Sequence, residues 1–220
     1  MRAVIAVALA VALAPLAAAS AERFDFEFAL SGGGFIPMDR FEVEAVRVGD
    51  TVAVNKASDS SYLDMGPYAE ASFALVPKDL YIPHALVFRA GWGNSKGLFR
   101  GSDSDGRYER ELEANFCSVR WGLDVFFRRS GLRPYFGLFW GIVRAGLKID
   151  ESEVESYGGL ISFELGARQN VGRFFLGAAI ELGYGFELWF QDTDENRNKS
   201  YEIDMEHIPA TARLNAGINF

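Results

Sequence analysis

The sequence contains very little cysteine, no surplus of basic residues and no long apolar run beyond its first segment. Cys117 is the only cysteine among 220 residues, which excludes an internal disulfide. Asp and Glu number 30 against 22 Lys and Arg, and this acidic balance argues against nucleic acid as a partner. No later segment approaches the ~18 consecutive apolar residues that predict a transmembrane helix.

The first 21 residues are arranged like a secretory signal peptide. A single charge at Arg2 is followed by an apolar stretch, a break at Pro15 and a series of small residues. Cleavage after Ala19 or after Ala21 would satisfy the rule of small residues at the site. The apolar stretch is short for an uncleaved anchor, which needs ~20 residues to span a bilayer. We therefore expect residues 1–21 to direct export and residues 22–220 to form the folded domain.

Alternation of apolar and polar residues is the dominant pattern in the rest of the chain. Near the start of the predicted domain, for example, Phe28 and Leu30 alternate with Glu27, Ala29 and Ser31. Such a period of two predicts strands, and ~9–11 residues suffice for a tilted strand to cross a bilayer. Eight runs can be recognised, at residues 23–33, 67–76, 85–93, 111–128, 133–149, 159–168, 173–187 and 207–220.

The facing of the fifth run, residues 133–149, does not follow from alternation alone. Its first half is apolar at both odd and even positions. We assign its facing from Arg144 and Lys148, which are predicted to point inward.

The connections between these runs alternate between short and long. Residues 77–83, 129–132 and 169–172 are short, whereas residues 34–66, 94–110, 150–158 and 188–206 are longer and polar. Short turns at one end and long loops at the other predict an all-β fold, an eight-stranded antiparallel up-and-down transmembrane β-barrel with both termini on the periplasmic side. Residues 41–55 read as a hairpin around Gly49 and Asp50, either within the first loop, as we prefer, or as two further strands of a ten-stranded barrel.

A soluble β-barrel or sandwich is the main alternative, because alternation does not tell the inner face from the outer one. Bulky and aromatic residues dominate the apolar face, and Gly, Ser and charged residues dominate the other, which suits a narrow interior. Aromatic residues also fall near the ends of the runs, as the girdles of a membrane barrel would require: Trp92, Tyr135, Tyr184 and Trp189.

The last residues carry the most specific local motif. Ala212, Leu214, Ala216, Ile218 and the terminal Phe220 occupy every second position. The chain thereby resembles the small eight-stranded outer-membrane β-barrel family, the OmpA and OmpX kind often called porin-like. The family usually has larger residues where this sequence has Ala212 and Ala216, which bears on the efficiency of insertion.

The resemblance implies a location and a set of partners. It implies that the protein lies in the outer membrane of a Gram-negative bacterium, in contact with the lipid bilayer and lipopolysaccharide, as a monomer. It also implies that the barrel assembly machinery reads Leu214, Ala216, Ile218 and Phe220 as an assembly signal.

Charged residues at inward positions are predicted to form a paired network. An eight-stranded barrel is just wide enough for side chains to fill it, and an unpaired charge there would be costly. The predicted lumen charge network comprises Asp25, Glu27, Glu70, Arg89, Arg120, Asp124, Arg144, Glu164, Arg168, Glu181 and Arg213. Glu70 and Arg89 are equidistant from the middle of the turn at residues 77–83, so they are expected to lie opposite each other, unless the two prolines of the turn shift the register by two residues.

We expect a structural or surface-interaction role through the extracellular loops, with an unidentified extracellular ligand. A narrow porin-like channel for small solutes or ions is the alternative. Barrels that modify lipid A need a nucleophilic Ser near a His. The predicted topology places His84 at the periplasmic end of the third run, far from outer-leaflet lipid, and His207 near the outer rim, followed by no Ser or Thr before Thr211. We therefore predict no enzyme activity. We also predict no cofactor and no metal site, and the acidic balance of the chain predicts no nucleic-acid partner.

Overall fold

The computed structural model describes residues 24–37, 40–48, 51–57, 62–78, 83–103, 106–149, 152–194 and 199–220. All regular secondary structure in these ranges is extended, and no helix among them is long and apolar enough to cross a membrane. The described residues form twelve strands: β1 (Phe24–Pro37), β2 (Arg40–Val48), β3 (Thr51–Ala57), β4 (Tyr62–Leu63), β5 (Gly66–Pro77), β6 (His84–Asp103), β7 (Gly106–Phe126), β8 (Leu132–Ile149), β9 (Ser152–Val171), β10 (Phe174–Asp194), β11 (Lys199–His207) and β12 (Pro209–Asn219).

Eight of these strands close into an antiparallel barrel. The order is β1, β5, β6, β7, β8, β9, β10 and β12, and β12 pairs with both β10 and β1 to complete the ring. Closure leaves no sheet edge, so every strand of the wall can satisfy its backbone groups within the sheet. The predicted all-β, eight-stranded fold class is confirmed.

The hairpin predicted at residues 41–55 lies at the end of the barrel opposite the short turns, which we call the loop end. Strands β2 and β3 pair with each other, and β2 also pairs with β11, which precedes β12 along the chain. They therefore extend the wall beyond β1 and β12 and do not add two crossing strands, so the ten-stranded alternative is wrong. The expected tip, Gly49 and Asp50, lies outside the described residues, as does the predicted signal peptide at residues 1–21.

The apolar face of the sheet points outward. Leu165 is 65% exposed, whereas its neighbour Glu164 is 1% exposed, and the same contrast separates Ile180 at 68% from Glu181 at 3%. A soluble barrel would bury the apolar face and expose the charged one. The observed facing is that of a barrel surrounded by lipid.

Strand β8 faces the opposite way to the prediction. Its inward residues include Tyr135, Phe139 and Val143, which are buried, whereas Arg144 and Lys148 point outward. Arg144 pairs with Glu155 on the outer surface, where its side chain remains 36% exposed. The two cations lie toward the loop end of the strand, where a polar outer surface is expected. Their charge therefore does not indicate which face of the strand lines the lumen.

The aromatic residues predicted to form girdles divide between the two faces. Trp92 and Tyr184 are exposed on the outer surface, as predicted. Tyr135 is buried in the lumen, so its assignment to a girdle is wrong, and the side chain of Trp189 lies outside the described part of the chain. A Cβ atom at Gly166 would lie 2.4 Å from Cζ of Tyr135, so the glycine provides the space that this inward ring occupies.

Two of the short turns contain a glycine with a positive φ angle. Gly131 connects β7 to β8 with φ 70°, and Gly172 connects β9 to β10 with φ 64°. Residues with a Cβ atom rarely adopt this conformation, so these glycines permit the tight reversals. We refer to this end of the barrel as the turn end and to the opposite end as the loop end.

Two clusters of buried apolar residues fill the lumen from its two ends. The loop-end plug consists of Phe35, Leu63, Tyr68, Leu112, Ala114, Phe116, Val143, Ala145, Leu147 and Leu160. The turn-end cluster consists of Ala74, Ala85, Val87, Phe126, Tyr135, Phe139 and Ala179. Charged side chains occupy the space between them.

Candidate functional site

Six strands contribute charged side chains to the middle of the lumen. The central charge network consists of Glu70 on β5, Arg89 on β6, Arg120 and Asp124 on β7, Glu164 on β9, Glu181 on β10 and Arg213 on β12. Each of these residues is buried. The alternation of the strands directs them to one face, and the closure of the barrel brings that face together from opposite sides.

Each arginine of the network contacts more than one carboxylate. Arg213 forms ion pairs with Glu164 and Glu181, and its Nε lies 3.5 Å from Oε1 of Glu70. Arg120 forms ion pairs with Glu70 and Glu181. The carboxylates are therefore shared among cations on different strands, which links the wall across the lumen.

Arg89 completes the network from β6. It forms an ion pair with Glu164, and its Nη2 lies 3.4 Å from Oδ1 of Asp124. Its Nη1 lies 3.8 Å from Oε1 of Glu70. The guanidinium also lies 3.8 Å from the centre of the Phe139 ring, which offers a cation–π contact.

Neutral side chains satisfy further hydrogen bonds of the network. The Tyr68 hydroxyl donates to Glu70 at 2.8 Å and accepts from Nη2 of Arg120 at 2.6 Å. The Tyr135 hydroxyl donates to Glu164. Tyr68 lies two residues before Glu70, so the same alternation directs it inward, whereas the reversed facing of β8 prevented the prediction of Tyr135.

The central network contains one more carboxylate than it contains arginines. Three guanidinium groups face four carboxylates, and the shortest contact of Asp124, 3.4 Å to Arg89, is longer than the shortest contact of each of the other three. The remaining three carboxylates each contact at least two arginines. Asp124 is therefore the least strongly held member.

A second ion pair lies nearer the turn end. Arg168 donates to both carboxylate oxygens of Glu27, with Nη2 at 3.0 Å from Oε1. Its guanidinium lies 4.1 Å from the centre of the Phe126 ring and 5.0 Å from that of Phe175. The fork geometry and the flanking rings hold this cation in place.

Two members of the predicted network lie elsewhere. Asp25 is near the start of β1, where its half-exposed side chain contacts Nζ of Lys78 at 3.2 Å, because the strand begins at the rim of the barrel. Arg144 lies on the outer surface with Glu155. The structure brings the other nine predicted residues into the lumen.

Glu70 and Arg89 do not lie directly opposite each other as predicted but are offset by two residues in the register of β5 and β6. Glu70 lies opposite Gly91, and Arg89 lies opposite Ser72, so the register differs by two residues and the inner face is unchanged. The direct contact that remains, at 3.8 Å, is weaker than the contact of Glu70 with Arg120. This outcome is the alternative that the two prolines of the turn suggested.

Little space remains around the network. One cavity of about 30 Å³ lies toward the turn end, where its lining includes Glu27, Asp124 and Arg168. Another of about 30 Å³ lies toward the loop end, where its lining includes Phe116 and His207. Each has room for very few water molecules.

The two histidines lie at opposite ends of the barrel. His207 was expected near the outer rim, but it is buried in the lumen, where its ring stacks on Phe116 with centroids 4.3 Å apart. His84 begins β6 at the turn end. Within the described ranges, no group of three His, Cys, Asp or Glu residues could hold a metal ion.

The C-terminal residues form the seam that closes the barrel. Leu214 and Phe220 are exposed on the outer surface, and the backbone N–H of Phe220 donates to the carbonyl of Phe26 at 2.8 Å. Ala216 and Ile218 lie opposite Leu30 and Phe28 of β1. The proposed reading of these residues by an assembly machinery stays a prediction.

Comparisons with known proteins identify the fold. The sequence matches no protein-family model and no curated protein. The outer membrane protein OprG from Pseudomonas aeruginosa has a similar structure, with a TM-score of 0.59 and 14% identity over 90% of this chain and 96% of that chain. The outer membrane protease OmpT from Escherichia coli gives a TM-score of 0.54 and 10% identity, over 90% and 98% of the two chains.

A third solved structure shows the same likeness. A major outer membrane protein from Thermus thermophilus gives a TM-score of 0.50 and 16% identity, over 90% of this chain and 99% of that chain. At these identities the likeness shows the fold alone. It confirms the resemblance to small outer-membrane β-barrels.

Proposed function

We propose that this protein is an outer-membrane β-barrel with a closed lumen, which acts in the structure of the membrane or in surface interactions through its loop end. The observation that carries this proposal is the central charge network, whose ion pairs cross the lumen between strands that are not neighbours in the wall. The same proposal includes the predicted signal peptide at residues 1–21, which would export the chain, and the C-terminal assembly signal, which would direct its insertion into the membrane.

Passage through the lumen would require the network to separate. Arg213 and Glu164 have almost no exposed side-chain surface, so a passing ion would have to displace contacts that lie away from bulk water. Breaking buried ion pairs leaves charges uncompensated and costs several kcal/mol, of the order of 3–5 kcal/mol. The loop-end plug adds an apolar barrier above the charged layer.

The length of the strands supports a surface role. Strands β7 and β10 each have 21 residues, whereas ~9–11 residues are enough to cross a bilayer. On the outer face of β7, apolar residues such as Val119 and Leu123 give way to Asn115, Glu113 and Glu111 toward the loop end. The wall therefore extends well beyond its apolar band and offers a polar surface outside the membrane.

A solute-flux assay tests the closed lumen. Vesicles that contain the folded protein should not swell in an isotonic solution of a small sugar, in contrast to vesicles that contain an open porin. Swelling at a rate close to that of the porin would contradict the proposal.

A narrow ion channel is the second candidate. The two small cavities on opposite sides of the network favour it, because they would hold water at both approaches to the charged layer. In that case a variant that removes ion pairs from the network, such as Glu164→Gln, should change ion flux in the same vesicles. A closed structural barrel predicts no flux for either protein.

The absence of enzyme activity is also part of the proposal. OmpT shows that a protease can have this fold, so the fold itself does not decide the question. The buried position of His207 in the lumen, away from the lipid-facing surface, supports a non-enzymatic role. Peptide cleavage by the purified protein, or altered lipid A mass after its expression, would contradict it.

A further inference from the structure

Two arginines lie side by side in the mouth of the lumen at the turn end. Arg133 on β8 and Arg168 on β9 are directly opposite each other in the sheet, and both point inward. They are 6% and 7% exposed. Two like charges in one buried position are unfavourable unless anionic groups compensate both.

Only one of these arginines has a carboxylate partner within the described residues. Glu27 accepts hydrogen bonds from both terminal nitrogens of Arg168. Arg133 donates from Nε to the carbonyl of Arg128 at 3.3 Å, and its guanidinium lies 4.2 Å from the centre of the Phe126 ring. None of the described carboxylates forms an ion pair with Arg133, and Glu27, which acts on it at longer range, is already bound by Arg168.

Further arginines surround this mouth on the two adjacent turns. Arg128 and Arg129 lie in the turn before β8, and Arg173 lies in the turn before β10, all with exposed side chains. The turn end is therefore cationic, although the chain as a whole has a formal net charge of −8.

Exposed apolar residues indicate how deep in the membrane this cationic region lies. Phe127 and Leu132 flank the first turn, and Val171 and Phe174 flank the second, and all four are exposed on the outer face of the barrel. Apolar side chains at these positions lie among acyl chains when the barrel spans a bilayer, so the arginines one or two residues further lie at the level of the lipid headgroups.

We propose that the turn end binds the phosphate of an anionic phospholipid, with Arg133 as the principal contact and Arg128, Arg129 and Arg173 as supporting cations. A guanidinium can donate two parallel hydrogen bonds to a phosphate, and clustered basic residues attract anionic lipid. A phospholipid fits better than free phosphate, because the exposed apolar residues beside the turns contact its acyl chains. The inference depends on a membrane-spanning barrel and not on a closed lumen.

Lipid binding to the folded full-length protein in detergent micelles tests the proposal, with native mass spectrometry as the measurement. Phosphatidylglycerol should bind more tightly than phosphatidylcholine of the same chain length. The Arg133→Gln variant should weaken phosphatidylglycerol binding about tenfold, as expected for the loss of a hydrogen bond between two charged groups. It should weaken phosphatidylcholine binding less, because the choline cation of that lipid offsets the attraction of its phosphate to the arginines. Arg144→Gln is the matched control, because it removes an exposed arginine from the other end of the barrel.

A second variant keeps the test valid if Arg133→Gln does not fold. The triple variant Arg128→Gln, Arg129→Gln and Arg173→Gln changes exposed residues only, and it should weaken phosphatidylglycerol binding and reduce its salt dependence. Equal binding of the two lipids, or an equal loss in Arg144→Gln, would overturn the proposal. Complete displacement of phosphatidylglycerol by inorganic phosphate, but not by sodium chloride at matched ionic strength, would overturn the assignment to a lipid.

Discussion

Arg213 on β12 and Glu164 on β9 form an ion pair in the lumen, although β10 lies between their strands in the wall of the barrel. Glu164 also accepts hydrogen bonds from Arg89 and from the Tyr135 hydroxyl, so it joins four strands. The network thus holds the wall together from inside in a protein that has a single cysteine and no internal disulfide.

The Glu164→Gln variant should destabilise the barrel more than any other single neutralisation in the network. Removal of its charge takes away the nearest carboxylate of both Arg89 and Arg213 in a buried position, at a cost of about 3 kcal/mol. Urea unfolding in lipid vesicles, monitored by tryptophan fluorescence, gives the free energy of unfolding.

Asp124→Asn is the control for that variant. Three arginines already face three better-placed carboxylates, so neutralising Asp124 should change the free energy of unfolding by less than about 1 kcal/mol. If Asp124→Asn lowered the free energy of unfolding as much as Glu164→Gln does, the result would contradict this ranking of the carboxylates.

The register between β5 and β6 predicts which cation is coupled to Glu70. A double-mutant cycle of Glu70→Gln with Arg120→Met should give a coupling energy of about 1–3 kcal/mol, because their groups are in direct contact. The cycle of Glu70→Gln with Arg89→Met should give a smaller value, since those atoms are 3.8 Å apart and Arg89 is held mainly by Glu164. The reverse order would show that Glu70 and Arg89 are the closer pair.

The outward facing of the apolar residues predicts the effect of a charge in the lipid. Ile180→Arg should cost ~2–4 kcal/mol if the residue lies near the middle of the bilayer. Glu111→Arg, also exposed and outward but beyond the apolar band, should change the free energy of unfolding by no more than about 0.5 kcal/mol. Folding yield in vesicles, read from the mobility of unheated samples on gels, distinguishes the two, and equal yields would contradict the facing.

The C-terminal residue is predicted to matter for insertion. Deletion of Phe220 should reduce the amount of protein in the outer membrane and leave the exported amount unchanged, because the assembly signal would be incomplete. Phe174→Ala is the control, as it also removes an exposed aromatic ring at the turn end. Normal outer-membrane levels after the deletion, measured by cell fractionation, would show that Phe220 is not part of such a signal.

Alternation in the sequence was sufficient to predict the barrel and the inward position of residues such as Glu27, Glu164 and Glu181. A strand has an exact period of two, so one buried charge determines the facing of the whole strand. Alternation did not indicate the facing of strand β8, because Tyr135 and Phe139 on its inner face are as apolar as Phe136 and Leu138 on its outer face. Arg144 and Lys148, from which its facing was assigned, lie beyond the apolar band, where both faces can be polar, whereas the inward Arg133 at the start of the strand indicates the facing that the structure has.

The partners within the network could not be predicted in the same way. Sequence spacing placed Glu70 opposite Arg89, but the observed register moved the pair by two residues. Long arginine side chains then reach across the lumen to strands that are far apart in the sequence, as Arg120 does to Glu181. Which acid each arginine selects depends on the closed geometry, and no local pattern contains it.

Single-channel recording in planar bilayers tests the closed lumen most directly. The folded protein should insert without producing steady conductance steps in molar potassium chloride, because the central charge network and the loop-end plug occupy the cross-section of the barrel. Steady, ohmic conductance steps that require folded protein and disappear with heat-denatured protein would show that ions pass, and would contradict the account.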